Sequence, residues 1–227
     1  MNTDDDRKLL MTRDGSYTIE QASMGVTFHS KHGAVQESMH VFIREGLQFI
    51  LSKKECSSLS IFEMGFGTGL NALLTYFEAK TKNSSVHYTS VDLFPLPQHL
   101  ISELGYDVGA TDSMEVFKKL HAASWNIETA ISPFFTLMKM QQDLLTFESA
   151  RAFDLIFFDA FGPVSQPELW SAEVFQKMHS ILHPDGVFVT YSSKGDVRRA
   201  LQASGFLVEK LPGPPGKREM VRATKNR

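Results

Sequence analysis

Glu63-Met-Gly65-Phe-Gly67-Thr-Gly69 joins an apolar run to a helical pattern, the place where an open α/β sheet holds its ligand. Glycines there let the chain turn tightly and let a ligand approach the helix N-terminus, where unpaired N–H groups favour an anionic group. Taken alone, the pattern is equally a tight strand-to-helix turn. Two acids narrow the chemistry. Glu63 stands two residues before the first glycine, and Asp92 ends the next apolar run, placed to accept hydrogen bonds from ribose hydroxyls. A carboxylate beside the loop repels a pyrophosphate but favours a ligand with an ammonium group and no phosphates; S-adenosylmethionine meets both conditions. For Asp92 the alternative is a strand-end cap. Asp143 follows a third apolar run and can accept from an adenine amino group or, equally, cap the turn before Leu144-Leu145.

The 153–158 run, Phe-Asp-Leu-Ile-Phe-Phe, is too apolar to face water, and it delivers Asp159-Ala-Phe161-Gly-Pro163 at a carboxyl strand end. Asp159 can orient or deprotonate an amine there, with Phe161 stacking on a planar group. Pro167-Glu168-Leu169-Trp170 reads as a pocket wall, with a buried Trp opening a helix as the alternative. Tyr191-Ser192-Ser193-Lys194 leaves a later strand on the same edge. His29, His32 and His40 form the one sequence cluster of histidines, and no cysteine or acid completes a zinc template around them. His179 and His183 flank a helix end, where the dipole accounts for them. No metal is expected.

The elements that must position these residues alternate. A hairpin is expected over 9–20, turning at Arg13-Asp14-Gly15-Ser16, and a helix over about 33–51, where Val35, Met39, Phe42, Ile43, Leu47 and Ile50 recur at helical spacing. Strands over 59–64, 86–93, 134–140, 153–158 and 187–191 are separated by helical patterns, including two pieces between 101 and 120 broken near 105–109. That alternation implies a parallel sheet covered on both faces. After a helix over 196–204, strands 206–211 and 218–223 joined by Pro212-Gly213-Pro214-Pro215-Gly216 add an antiparallel C-terminal edge. The expectation is an α/β, Rossmann-like fold with a mostly parallel seven-stranded sheet. Residues 1–52 form an N-terminal extension of hairpin and helix, and 53–227 the main domain.

Composition bounds the rest. The chain has 227 residues, 42% hydrophobic and 22% charged, which fits one sizeable core and excludes fibrous or largely disordered classes. No run reaches the roughly 18 apolar residues of a membrane span, and the acidic start MNTDDDRKLL is no signal peptide. Cys56 is the lone cysteine, so no internal disulfide forms, and a cytoplasmic location is the expectation. Net charge is −3, yet residues 194–227 carry +6 and the first 193 therefore −9. A basic end on an acidic body can hold phosphates or serve solubility alone. Lys194, Arg198, Lys217 and Arg218 are the candidate phosphate contacts.

Phe28-His29-Ser30, Gly33-Ala34, Glu37-Ser38, His40-Val41-Phe42, FEMGFGTGLNALL from Phe62, Tyr88 with Asp92-Leu-Phe-Pro95, DAFGP from Asp159, PELW from Pro167, TYSSKG from Thr190 and GKREM from Gly216 stand in order along nearly the whole chain. As a set they resemble the methyltransferase part of the bacterial enzyme that completes 5-methylaminomethyl-2-thiouridine at the tRNA wobble position. The resemblance implies a class I fold that uses S-adenosylmethionine. The acceptor it implies is the primary amine of 5-aminomethyl-2-thiouridine at position 34, in tRNAs such as those for Lys, Glu and Gln. The family's glycine loop falls on Glu63 through Gly69, its ribose acid on Asp92 and its pocket aspartate on Asp159. Its Glu-Ser pair falls on Glu37 and Ser38, near the donor's methionine end. Asn71, inside the same run, joins the donor-binding set.

Two departures follow. Phe28 stands where the family commonly has Tyr, so any hydroxyl role there is lost. Better-known members carry a further FAD-dependent domain; this sequence resembles the standalone form, with no flavin expected and upstream enzymes installing the aminomethyl group. Phe161, Trp170 and Tyr191 are the candidate surfaces for an extruded wobble base. Three alternatives stand beside this reading: a nicotinamide oxidoreductase, a methyltransferase acting on a different amine, and a non-catalytic RNA-binding module.

Overall fold

A computed structural model describes residues 6–53 and 58–226; Cys56 lies outside them. The start of the chain pairs β1 (Arg7–Met11) with β2 (Tyr17–Gln21), and β3 (Val26–Thr27) extends the pair to three strands. The register sets Arg7 opposite Gln21, and both side chains are buried.

The helical run that follows is continuous but not uniform. It opens as α1 (Ala34–Ser38), winds as a π-helix over Met39–Gln48 and closes as α2 (Phe49–Lys53). Wider winding brings Val41, Phe42, Ile43, Gly46 and Leu47 together on the buried side, a broader stripe than a 3.6-residue turn presents. That stripe lies across the sheet.

The main sheet is β4 (Ser58–Met64), β5 (Ser85–Asp92), β6 (Glu128–Ser132), β7 (Phe135–Gln141), β8 (Phe153–Phe158), β9 (Leu182–Thr190), β10 (Phe206–Pro212) and β11 (Glu219–Lys225). In space the order is β10-β11-β9-β8-β4-β5-β7-β6. The five central strands are parallel. Both edges are antiparallel, β11 and β10 at one side and β6 at the other. The sheet thus has eight strands where seven are expected from sequence. The eighth, β6, is a half-exposed Glu-Thr-Ala-Ile-Ser run without the apolar content that marks the others. Strand β9 also begins earlier than expected, pairing Leu182 with Phe153 before a register shift carries it to Val187 opposite Leu155. A bulge of this kind accommodates His183-Pro-Asp-Gly186 without ending the strand.

Strand alternation splits the core into two layers. Ile61, Leu155 and Phe157 point to the side covered by the first helical run and by α3 (Leu70–Lys82), while Phe62, Ile156 and Phe158 point to the other side. That second layer is closed by α6 (Ala172–Ile181) and α7 (Gly195–Ala203). Two shorter helices, α4 (Gln98–Glu103) and α5 (Ser113–Ala122), match the two expected pieces. Among the described residues no helix is long and apolar enough to cross a membrane. The chain reverses its direction of travel across the sheet at β4, whose neighbours are β5 and β8. Ligands bind outside the carboxyl ends of strands at such a point.

Candidate active site

A cavity of about 390 Å³ opens there, lined by Gly65, Gly67, Asn71, Asp92, Asp143 and Asp159 together with the hairpin. The glycine loop supplies shape. Gly65 has φ +90, and a Cβ on it would lie 3.1 Å from the Asp159 carbonyl oxygen, so the close approach of β4 to the loop after β8 requires glycine. Its N–H donates to Val91 O at 2.9 Å, and the Gly67 N–H donates to Asp92 Oδ2 at 3.0 Å. The amides of these two glycines thus already have protein partners, which corrects the expectation of a loop offering them to an anion. Gly69 caps the start of α3, away from the cavity lining.

Asp92 also accepts from Phe94 N at 2.9 Å. Each carboxylate oxygen keeps a lone pair for a ligand hydroxyl, and burial raises the group above the ordinary carboxylate range. Asp143 Oδ1 accepts from Leu145 N at 2.9 Å, the turn cap that was one of its two expected roles, and the residue also lines the cavity.

Glu63 differs from expectation. It is fully buried beneath the cavity rather than beside a ligand, because it occupies an inward position on a central strand. Ser90 Oγ donates to its Oε2 at 2.7 Å. Burial, reinforced by the charge of Asp159, pushes its carboxyl up to about 8. Glu63 lies against Asn71 and Tyr88, and a Glu63 carboxyl that keeps its proton can donate to the buried Asn71 Oδ1. Asn71 in turn donates through Nδ2 to Asp159 Oδ2 at 2.9 Å. Burial first, and then the charge of Glu37, raise Asp159 to about 7, against the lowering effect of Asn71 and Lys217. That value is close to what a general base at neutral pH needs.

Behind the wall at His29 and Ala160, segments from the two ends of the chain meet. Glu37 on α1 is buried, accepting from Ser30 N at 2.6 Å and from Lys217 Nζ at 2.5 Å. Ser38 beside it is fully buried. Lys217 Nζ also sits 3.7 Å from the centre of the Tyr191 ring, and the Tyr191 hydroxyl donates to Ala160 O at 2.8 Å. Lys217 therefore turns inward on a carboxylate and a ring, which corrects its reading as a surface phosphate contact. Lys194 and Arg218 are exposed and Arg198 is half-buried.

Phe161 lines the cavity and meets Phe28 edge to face at 5.1 Å. Trp170 does not present a stacking face. It is 6% exposed, its indole N–H donates to Phe161 O at 2.8 Å, and Phe158 and Tyr191 pack on its ring; it supports the loop from behind. The histidine cluster disperses: His29 pairs with Thr18 Oγ1 at 3.0 Å, and His40 Nε2 lies 2.8 Å from Pro212 O. Burial pulls His29 down to about 4, so a neutral imidazole lines the cavity.

Sequence reasoning missed the hairpin's share of the wall, which comprises Arg7, Gln21, Ser23 and Met24. The available signal was Arg7 and Gln21 as polar residues paired on a strand. It also missed Lys139, 1% exposed, whose Nζ donates to Leu120 O and His121 O and lies 5.0 Å from the Phe66 ring. It holds the end of α5 against the glycine loop.

Comparison with known proteins follows this geometry. Residues 115–226 match a family described as S-adenosyl-L-methionine-dependent methyltransferase. The chain is 32% identical to the tRNA 5-methylaminomethyl-2-thiouridine biosynthesis bifunctional protein MnmC of Aromatoleum aromaticum, over 96% of this chain and 35% of that protein. It is 28% identical to the protein of the same name from Burkholderia thailandensis, over 94% and 34%. The chain spans about a third of the length of these curated relatives. In fold it is similar to MNMC2 from Aquifex aeolicus, with a TM-score of 0.79 and 24% identity over 97% of this chain and 71% of that one. It is more distantly similar to spermidine synthase from Thermotoga maritima, with a TM-score of 0.55 and 13% identity over 96% and 68%.

Proposed function

The chain belongs to the methyltransferase-domain family of the tRNA 5-methylaminomethyl-2-thiouridine biosynthesis proteins, and on that premise we propose that it methylates the aminomethyl nitrogen of 5-aminomethyl-2-thiouridine at tRNA position 34. The product is 5-methylaminomethyl-2-thiouridine, and a preceding reaction must supply the primary amine. S-adenosylmethionine, when bound, supplies a methyl group on a positively charged sulfur.

The residues present fit such a donor. Asp92 and Asp143 both line the cavity, where the first would accept from ribose hydroxyls and the second from an adenine amino group, and Gly65 leaves room that a Cβ would fill. The neutral His29 and the protonated Glu63 add no charge, so the carboxyl groups on the lining, Asp92, Asp143 and Asp159 among them, are what favour a cationic ligand here.

The observation that carries the proposal is Asp159 at the carboxyl end of β8, held by Asn71 and facing the cavity. A primary alkyl ammonium has no lone pair, so the acceptor must lose a proton before it attacks. With a carboxyl near 7, Asp159 is a competent acceptor at neutral pH for the proton that the nitrogen sheds once methylated, a stronger role than an ordinary carboxylate allows. Holding the nitrogen in line with the methyl carbon supplies several kcal/mol by orientation alone. Phe161 and Phe28, meeting edge to face, offer a ring surface for a flipped base.

The test is direct. The chain is incubated with S-adenosylmethionine and tRNA carrying 5-aminomethyl-2-thiouridine, and the wobble nucleoside is analysed by mass. A gain of one CH2 on that nucleoside, with one S-adenosylhomocysteine per methyl, is the expected result. Methylation of free amines or proteins with none on this tRNA would overturn the acceptor assignment.

A further inference from the structure

We infer that Lys217 is a positioning residue for this methyl transfer: it fixes the Glu37 carboxylate behind the cavity wall at His29 and Ala160 and holds a positive charge there that keeps the acceptor nitrogen from binding as an ammonium. The inference rests on the function proposed above and names the device that selects the reactive form of the substrate.

The loop between β10 and β11 is built to deliver this one side chain. Gly213 N–H donates to Arg218 O at 3.1 Å and Lys217 N–H to Pro214 O at 2.9 Å, which folds the loop on itself. Gly216 has φ +86, and a Cβ on it would lie 2.1 Å from His32 Cδ2, so the loop is pressed against the segment that precedes α1. His40 Nε2, 2.8 Å from Pro212 O, fastens the loop's other end. A lysine meant for a phosphate would face water. Lys217 instead makes a 2.5 Å ion pair with a carboxylate whose side chain is 7% exposed, and lies over the Tyr191 face.

The charges around the acceptor position explain the arrangement. Glu37 on α1 is ion-paired with Lys217, and Asp159 after β8, raised to about 7, carries its charge above that pH. His29 after β3 is neutral, Tyr191 after β9 is held in its phenol form by burial, Glu63 beneath is protonated, and Asn71 on α3 carries no charge. His32 and its neighbour Arg13, with a 3.3 Å nitrogen–nitrogen separation, lie on the outer side of the loop. Without Lys217, two carboxylates would act on an incoming amine and would hold it as the unreactive ammonium. With it, one of the two is paired. The neutral nitrogen then forms the N–C bond with its lone pair as the C–S bond breaks and its electrons leave with sulfur. One proton of the resulting ammonium passes to Asp159 and on to water.

The test compares the parent chain with Lys217→Met, Lys217→Arg and Glu37→Gln. Single-turnover methyl transfer to tRNA carrying 5-aminomethyl-2-thiouridine is followed from pH 6 to 9. A unit charge at this range moves a titration by about one to three units. The acid limb of the rate profile should therefore move up by about one unit in Lys217→Met, with roughly 10-fold slower transfer at pH 7. Lys217→Arg should restore the limb, and Glu37→Gln, which removes the opposing charge, should move it down. S-adenosylhomocysteine affinity, read by calorimetry, should stay within a few-fold in both Lys217 variants, while Glu37→Gln is compared by the position of its limb. If Lys217→Met melts below the assay temperature, the downward shift in Glu37→Gln decides the matter alone. A rate lowered equally at every pH, or a raised KM for tRNA with an unmoved limb, would overturn the inference while leaving the function intact. A parent chain that transfers nothing to this tRNA would instead overturn the function, and the inference with it.

Discussion

On the glycine-loop side of the cavity the bonds made by Gly67, Glu63 and Asp143 are short in sequence. Gly67 reaches Asp92 across 25 residues, Ser90 reaches Glu63 across 27, and Asp143 reaches Leu145 across two. Each partner stands on or just after a central parallel strand. On the opposite side Asn71 meets Asp159 across 88 residues, His40 meets Pro212 across 172 and Lys217 meets Glu37 across 180. The first wall is finished once β4, β5 and β7 pair. The second exists only when the N-terminal helix and the last hairpin have both docked. A donor shared by many methyltransferases suits the first construction. An acceptor particular to one reaction suits the second, because its residues can change without disturbing the donor wall.

If the two walls are separable, substitutions on each should split binding from chemistry. The largest effect belongs to Asp159→Asn. It keeps the shape and a hydrogen bond, so S-adenosylhomocysteine binding should survive, while single-turnover methyl transfer should fall by about 10²-fold or more. The deficit should narrow at high pH, where the amine is neutral without help. Stability supplies an independent sign. A carboxyl raised to about 7 favours the folded state below its ordinary value, and that contribution is lost as pH rises through 7. Asn does not ionise, so the variant should gain melting temperature relative to the parent between pH 5 and 8. A variant transferring methyl at the parent rate at pH 7 would remove Asp159 from the chemistry, and Tyr191 would be tested next.

Asp92→Ala should do the reverse. Losing a charged acceptor for a hydroxyl pair costs about 1.5–3 kcal/mol, or roughly 10- to 150-fold in S-adenosylhomocysteine affinity by calorimetry. Two backbone N–H groups, of Gly67 and Phe94, lose their partner as well, so a modest drop in melting temperature should accompany it. An unchanged dissociation constant would show that Asp92 only braces the loop.

The same division decides what the sequence could disclose. Gly65, Gly67, Asp92 and Asp159 were legible because each sits at a fixed offset from an apolar strand, and strand pairing alone brings such ends together. Lys217 was not. In a tail carrying nine Lys and Arg it is one basic residue among others, and nothing in local pattern points it at Glu37. Trp170 failed for a related reason: a tryptophan beside a loop reads as a surface, but its indole N–H is spent on Phe161 O. Arg7 and Gln21 escaped notice since polar residues on a short hairpin read as solvent-facing, whereas this hairpin roofs the cavity. Strand β6 lacked the apolar run that sheet interiors impose and edges do not.

The smallest expected effect gives the finest test of the comparison, since it sets Lys217 against its immediate neighbour. Arg218 and Lys194 are exposed, one beside the inward-turned lysine and the other opening α7, so both remain available to phosphates. Each phosphate contact contributes about one unit to the slope of log affinity against log salt. The double variant Arg218→Ala with Lys194→Ala should therefore bind tRNA more weakly at low salt, with the slope reduced by up to about 2. Neither S-adenosylhomocysteine affinity nor the pH limb of methyl transfer should move. Lys217→Met should show the converse, a displaced limb on an unchanged salt slope. A salt slope that falls for Lys217→Met as much as for Arg218→Ala would place both side chains on the RNA, and the inward ion pair would then be a resting arrangement that tRNA displaces.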